Sequence, residues 1–317
     1  MPVTLAQARL NVQDDLQAGV IDEFAKSSFL FNNLTFDDCV SPTGGGATLT
    51  YAYTRLITQP TAAFRAINQE YRAQEVNKQR FTTDLKVFGG SFQIDRVISN
   101  MGGIVNEVTL QMQQKIKAAA ALFNDTVING DNGVDPNEFD GLDKALIGSS
   151  TEMVPTNPIV LDSSTNITGN WQTFLDILDE FLMGLDGTPS FIGGNTKLIA
   201  RIRAVARRAG MYQVTKNDFG QQIEQYGNIP LVDFGTKAGT NDPVVPISVT
   251  GETSLYAARL GLDGFHAVSM AGVPPVQSWL PDYKTAGAVK TGEVEMVAAV
   301  VLKATKAAGV LRGIKVQ

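Results

Sequence analysis

A strand-like alternation begins at Thr48, breaks off, and resumes about thirty residues later, and the polar stretch between its two halves has little of its own to bury. Leu49, Tyr51 and Tyr53 share one face, with Thr48, Thr50, Ala52 and Thr54 between them, and Thr83, Leu85 and Val87 take up the same period-two pattern. This predicts a long two-stranded excursion. Its far end, residues 59–80, carries Arg65, Glu70, Arg72, Glu75, Lys78 and Arg80 with few large apolar side chains. Isolated two-stranded ribbons are marginal in water, so this one must rest on something outside itself.

The remainder of the chain reads as α+β without regular βαβ alternation. Residues 3–31 form a loosely patterned helical arm, followed by a turn-rich break over 37–46 that contains Cys39. No histidine or cation adjoins Cys39 in sequence, so a buried thiol is expected there rather than a reactive one. Ile104, Val108, Met112, Ile116, Ala119, Phe123 and Val127 recur every three or four residues and predict a helix over 102–129, ended by Asn129-Gly130. At 1.5 Å per residue such a helix is about 42 Å long. Trp171, Phe174, Leu175, Leu178, Phe181, Leu182 and Leu185 mark a second helix. A third runs from an Asn195 cap to Gly210, with Lys197, Arg201, Arg203, Arg207 and Arg208 expected on a solvated face. From residue 228 the chain turns to strands, IPLVDFG, VVPISVT, SLYAARLG and FHAVSM. It closes on VEMVAAVVLKATKAAGVLRGIKV, a long strand, a short turn or helix, and a final strand.

Chemistry is scarce. With one Cys and one His in 317 residues, no disulfide forms within the chain and a Cys/His metal site lacks ligands. No GxSxG, P-loop, HExxH or paired CxxC occurs, and GTKAGT at 235–240 lacks the Gly-Lys-Ser/Thr ending of a phosphate loop. His266 lies in an apolar strand and reads as a satisfied core histidine. Asp131, Asp135, Glu138, Asp140 and Asp143 do not follow the calcium-loop order and read as solvated turn carboxylates. We therefore expect no catalytic residues, no metal and no cofactor. The N-terminus lacks a signal-peptide pattern and no apolar run spans a bilayer, which predicts a soluble intracellular chain with no membrane partner.

Charge is distributed unevenly. The net charge of -6 is the wrong sign for a protein that grips nucleic acid through its phosphates. Basic residues outnumber acidic ones by 7 to 4 over 45–100, whereas acidic outnumber basic by 13 to 3 over 101–186. Segments of alternating sign suit copies that pair with one another.

Several segments, in order, resemble the major capsid proteins of tailed phages, whose Hong Kong 97-type fold is shared with encapsulin shells. They are GATLTYAY to TDLKVFGGSFQI, the long helix with NGDNGVDPNEFDGL, WQTFLDILDEFL, GGNTKLIARIRAVARRAG, YGNIPLVDFG, TSLYAARLGLDGFHAVS and VEMVAAVVLKATKAAGVLRGI. The resemblance covers nearly the whole chain. It implies an N-terminal arm (1–44), an extended hairpin or E-loop (45–100), a peripheral domain with a long spine helix (101–155), an axial domain (156–272) and a return to the peripheral domain (273–317). It also implies hexamers and pentamers in an icosahedral virion shell assembled in the host cytoplasm. Portal, scaffolding and decoration proteins would be partners, and packaged double-stranded DNA would be contacted non-specifically. The hairpin starts too early to leave room for a fused scaffolding domain, so a separate scaffolding protein, or a short arm doing that work, is expected. Some relatives crosslink a hairpin lysine, for which Lys78 is the candidate, to a late asparagine; no Asn follows Asn241, so no crosslink is expected. Arg65, Arg72, Lys78 and Arg80 are the candidate intersubunit contacts, on the idea that the basic hairpin docks on the acidic 101–186 zone of a neighbour. An encapsulin compartment is the near alternative and a soluble α+β enzyme the distant one. Gly89-Gly90 and Gly102-Gly103 are expected to let the hairpin and helix bend differently in hexamers and pentamers.

Overall fold

A computed structural model describes residues 29–41, 48–100, 107–210, 213–216 and 222–317. The arm before Phe29 and the Gly102-Gly103 pair lie outside these. Two sheets organise the rest, and the longest strand, Val289–Leu302, is the axis of the first. On one flank Phe265–Met270 pairs with residues 298–302 and Val276–Trp279 with 293–296. The other flank takes all of Lys86–Asp95, from Ala298 opposite Lys86 to Val289 opposite Asp95. This strand is apolar over its whole C-terminal half because it is covered on both faces there.

Phe36–Val40 adds to the edge of this sheet, parallel to Phe265–Met270. The expected break over 37–46 therefore begins as a strand, and Cys39 on it is exposed, not buried. Its thiol is no more reactive for that: partial desolvation and the neighbouring Asp37 push its pKa up.

The long helix, Glu107–Asn129, lies across Lys86–Asp95 and Val289–Leu302. Met112 and Ala119 close on Phe92, Ile94 and Val294. One turn further on, Phe123 meets Phe31, Phe36, Phe88 and Phe139 at centroid distances of 5.8–6.0 Å. Its 23 described residues measure about 35 Å. Ile116, placed on the buried stripe by its spacing, is exposed. Gly89 is no hinge in this structure: it sits mid-strand, and a Cβ there would lie 2.0 Å from the Val294 carbonyl oxygen. Close approach of the two strands is what requires glycine.

The second sheet runs in the order Glu152–Met153, Ala308–Lys315, Glu252–Ala258, Phe191–Gly194, Ile229–Asp233, Gln222–Tyr226, Gln213–Lys216, and Ile159–Val160 also pairs with Ala308–Lys315. Two helices cover it. Ser164–Met183 starts about two turns earlier than its apolar spacing from Trp171 suggests, because the Ser163 hydroxyl accepts from the Asn166 N–H. Thr196–Ala209 is bounded as expected: Asn195 Oδ1 accepts from the Leu198 N–H at 2.9 Å, and Gly210 takes the left-handed conformation at φ 68°. Its cationic face is not simply solvated. Arg201 donates to the Asp162 carbonyl at 2.6 Å, Arg203 pairs with Glu224, and Arg208 donates to Ser164 Oγ at 2.9 Å.

VVPISVT is not a strand; residues 244–250 form a loop attached through an isolated bridge between Thr236 and Pro243. Val289–Leu302 and Ala308–Lys315 enter different sheets, so residues 273–317 contribute to both. No helix among the described residues is long and apolar enough to cross a membrane.

Candidate functional site

The ribbon stands apart from both sheets. Thr50–Leu56 and Lys78–Asp84 pair antiparallel with each other alone, Tyr51 opposite Thr83 and Tyr53 opposite Phe81. From Leu56 to Arg80 every residue is exposed. The strand that follows, Lys86–Asp95, leaves the ribbon for the first sheet, so the excursion is shorter than the sequence reading gave it.

At its root the ribbon is fastened to the turn after Val289–Leu302. Arg55 donates through Nη2 to the Leu302 carbonyl at 2.6 Å and through Nε to the Lys303 carbonyl at 2.8 Å. Its guanidinium lies 4.5 Å from the centroid of Phe81 and 5.6 Å from that of Tyr53. The Tyr53 hydroxyl donates to the same Leu302 carbonyl at 3.2 Å, and the Tyr51 hydroxyl to Asp37 at 3.1 Å. Burial first, and then the charge of Asp37, holds the Tyr51 phenol well above the usual range.

Among the described residues the tip is braced only by itself. Gln74 Oε1 accepts from the Thr61 N–H at 2.6 Å, and the Ile57 N–H donates to the Asn77 carbonyl at 2.8 Å. Asn68 adopts φ 67°, the left-handed conformation Asn tolerates in a turn. Arg65 donates to the Ala66 and Gln69 carbonyls and lies 5.3 Å from the Tyr71 ring, so this candidate contact shapes the tip. Arg72, Lys78 and Arg80 are exposed and form no ion pair with another described residue.

The sequence reading underrated the apolar content of this tip. Phe64 is fully exposed, Ile67 is 89% exposed and Tyr71 65%, and Leu56, Ile57 and Val76 are exposed as well. In a soluble subunit such a series marks a surface that is covered elsewhere. The signal was in the sequence, as an aromatic and a β-branched residue three apart within a polar stretch, but counting charges hid it.

The acidic zone over 101–186 is partly spent within the subunit. Asp131 pairs with Lys144 at 2.9 Å, and that hydrogen bond lowers its pKa. Asp125 lies 3.4 Å from Lys237. Asp143 is not a free turn carboxylate: it accepts from the Tyr256 hydroxyl at 2.7 Å and pairs with Arg312 at 2.8 Å, while Arg312 also pairs with Glu152 at 2.5 Å. Burial, then the Asp143 charge, pushes the Tyr256 phenol far above its ordinary value. This part-buried network ties the short helix Leu142–Leu146 to the second sheet. Asp135, Asp140, Asp176 and Glu180 stay exposed.

From the 235–240 segment, Thr236 and Lys237 line one side of an open cleft of about 460 Å³ together with Asn195, Lys197, Asp242 and Ile247. Its lysines are engaged, Lys237 with Asp125 and Lys197 with Gln317. Among the described residues no group of His, Cys, Asp and Glu side chains could hold a metal ion.

Solved structures match this architecture end to end. The encapsulin of the holo-SrpI complex from Synechococcus elongatus PCC 7942 superposes with a TM-score of 0.68 at 14% identity, over 99% of this chain and 97% of the other. The capsid of a native GTA particle gives 0.63 at 10% identity over 98% and 97%, and Mycobacterium phage Bobi gives 0.62 at 10% over 98% and 99%. No protein-family model and no curated protein matches the sequence. The class defined by the two sheets, the long helix and the projecting ribbon is the Hong Kong 97-type capsid fold. Its solved examples, phage and GTA capsids and an encapsulin, are shell proteins.

Proposed function

We propose that this chain is a shell-forming subunit, the major capsid protein of a phage head, that assembles as hexamers and pentamers around double-stranded DNA. The observation that carries the reading is the ribbon, with twenty-five consecutive exposed residues from Leu56 to Arg80, an apolar tip, and no surface of the described subunit beneath it. A second copy of the chain supplies that surface. Burying Phe64, Ile67 and Tyr71 there contributes about 1.5–3 kcal/mol for each large side chain, and repetition over a closed shell turns modest contacts into kinetic stability. Arg72, Lys78 and Arg80 then meet carboxylates of the neighbour's 101–186 zone, with Asp135, Asp140, Asp176 and Glu180 as the free partners. A net negative charge is compatible with the role, since a container encloses DNA without gripping it. Scaffolding, portal and decoration proteins belong to the same reading, as does a virion location after assembly in the host cytoplasm.

An encapsulin compartment is the second reading, favoured by the encapsulin's higher TM-score and identity than those of the two capsids. Particles purified from the native source separate the two. A phage head contains double-stranded DNA protected from nuclease; nuclease-resistant DNA absent from particles that hold a protein cargo would overturn the first reading in favour of the second.

A further inference from the structure

The chain's one histidine is buried at the root of the ribbon without a partner. His266 is wholly enclosed, and neither Nδ1 nor Nε2 makes a hydrogen bond. The expectation of a satisfied core histidine fails on this point. Its ring meets that of Tyr51, on the ribbon strand, at 6.0 Å and 76°. From the edge strand, Asp37 Oδ2 lies 4.0 Å from Nε2, too far for a hydrogen bond. That oxygen already accepts from the Tyr51 hydroxyl at 3.1 Å and has Lys303 Nζ at 3.9 Å. Lys303 itself sits 5.5 Å from the Tyr51 ring centroid. Cys39 beside Asp37, Tyr53 on the ribbon, and Asp263, which is held by Arg259 in the turn before the histidine, complete the titratable surroundings. One carboxylate oxygen thus lies between the ribbon, a lysine and the imidazole.

We propose that His266 and Asp37 form an acid-sensitive latch on the ribbon: a proton taken up by His266 draws the Asp37 carboxylate away from the Tyr51 hydroxyl and loosens the ribbon root. A neutral imidazole can stay idle in an apolar site, but an imidazolium carries two N–H donors that need acceptors in a low dielectric. Asp37 is the nearest anion, and reaching it requires the carboxylate to move by about an ångström, away from its present partner. Burial and then the charge of Lys303 hold His266 below its ordinary value of 6.5, with Asp37, the backbone of Gly264 and Asp263 acting in the opposite direction. A histidine whose folded pKa is depressed contributes full stability above its unfolded pKa and loses it as pH falls through the folded pKa. The root is therefore tight at neutral pH and loosens in mild acid, while carboxylates are still ionised.

The latch is a property of the subunit and is tested independently of shell assembly, by hydrogen exchange of the full-length chain with intrinsic rates corrected for pH. Exchange in peptides covering Thr50–Leu56 and Lys78–Asp84 should rise about tenfold between about pH 7.5 and about pH 5. Flat protection over that range would overturn the proposal. In His266→Gln and His266→Leu the step should vanish; a step of wild-type size in either would assign it to carboxylates instead and overturn the proposal equally. Asp37→Asn keeps the histidine and an oxygen that accepts from the Tyr51 hydroxyl but removes the anion that draws the imidazolium, so neutral-pH exchange should stay near wild type and the acid step should vanish. A wild-type step in that variant also refutes the latch.

Discussion

Phe64 and Phe123 are the same side chain in opposite settings, and the contrast separates assembly from folding. Phe123 is fully buried among four other rings, so Phe123→Ala should lower subunit stability by about 3–5 kcal/mol in denaturant unfolding. Phe64 is fully exposed, so Phe64→Ser should leave the unfolding midpoint within about 0.5 kcal/mol of wild type yet abolish or sharply reduce particle formation in sedimentation. Equal loss of stability in both variants would mean that the ribbon tip is part of the subunit core. Single residues were the scale least legible in the sequence. Burial of His266 followed from its apolar neighbours, but its lack of a partner depends on Asp37, which is more than two hundred positions away. Cys39 was expected to be buried because no histidine or cation adjoins it in sequence, whereas the edge strand that holds it turns it outward. Arg55 went unnoticed since its partners are backbone carbonyls of residues 302 and 303, which carry no side-chain signature.

Among elements, those whose stability is local were the ones the sequence disclosed. The helix Thr196–Ala209 carries its own cap at each end, and the long helix shows its period over six turns. The ribbon was recognisable by alternation, because a strand pair exposed to water on one face keeps its period-two pattern. Short strands were missed: Val276–Trp279 is set by pairing with residues 293–296 and Gln222–Tyr226 by a tight turn onto Ile229–Asp233, and neither depends on an alternation of its own. VVPISVT reads as a strand by composition, yet Pro246 within it and Pro243 just before it withhold backbone donors, and it forms a loop. The ribbon's charge makes a prediction at this scale. Arg72→Glu with Arg80→Glu reverses two exposed cations that have no ion-pair partner within the described subunit. Circular dichroism and thermal unfolding should stay unchanged while assembly falls by more than tenfold at moderate ionic strength. Normal shells from the double variant would rule out electrostatic docking of the ribbon on the acidic zone.

For the whole molecule, the proposed shell function gives the sparse chemistry and the uneven charge one explanation, a surface made to meet copies of itself. The order of segments carried the fold at identities of 10–14%, below what sequence comparison detects, because the two sheets and the long helix impose their own spacing of apolar residues. What encloses what was not legible, since cargo and closure belong to the assembly. Electron microscopy of the purified full-length chain tests the central claim most directly. The expected result is closed shells in which residues 56–80 of each subunit lie on a neighbouring copy, with the Phe64 side chain covered. Monomers alone at high concentration, or shells in which the ribbon folds back onto its own subunit, would contradict it.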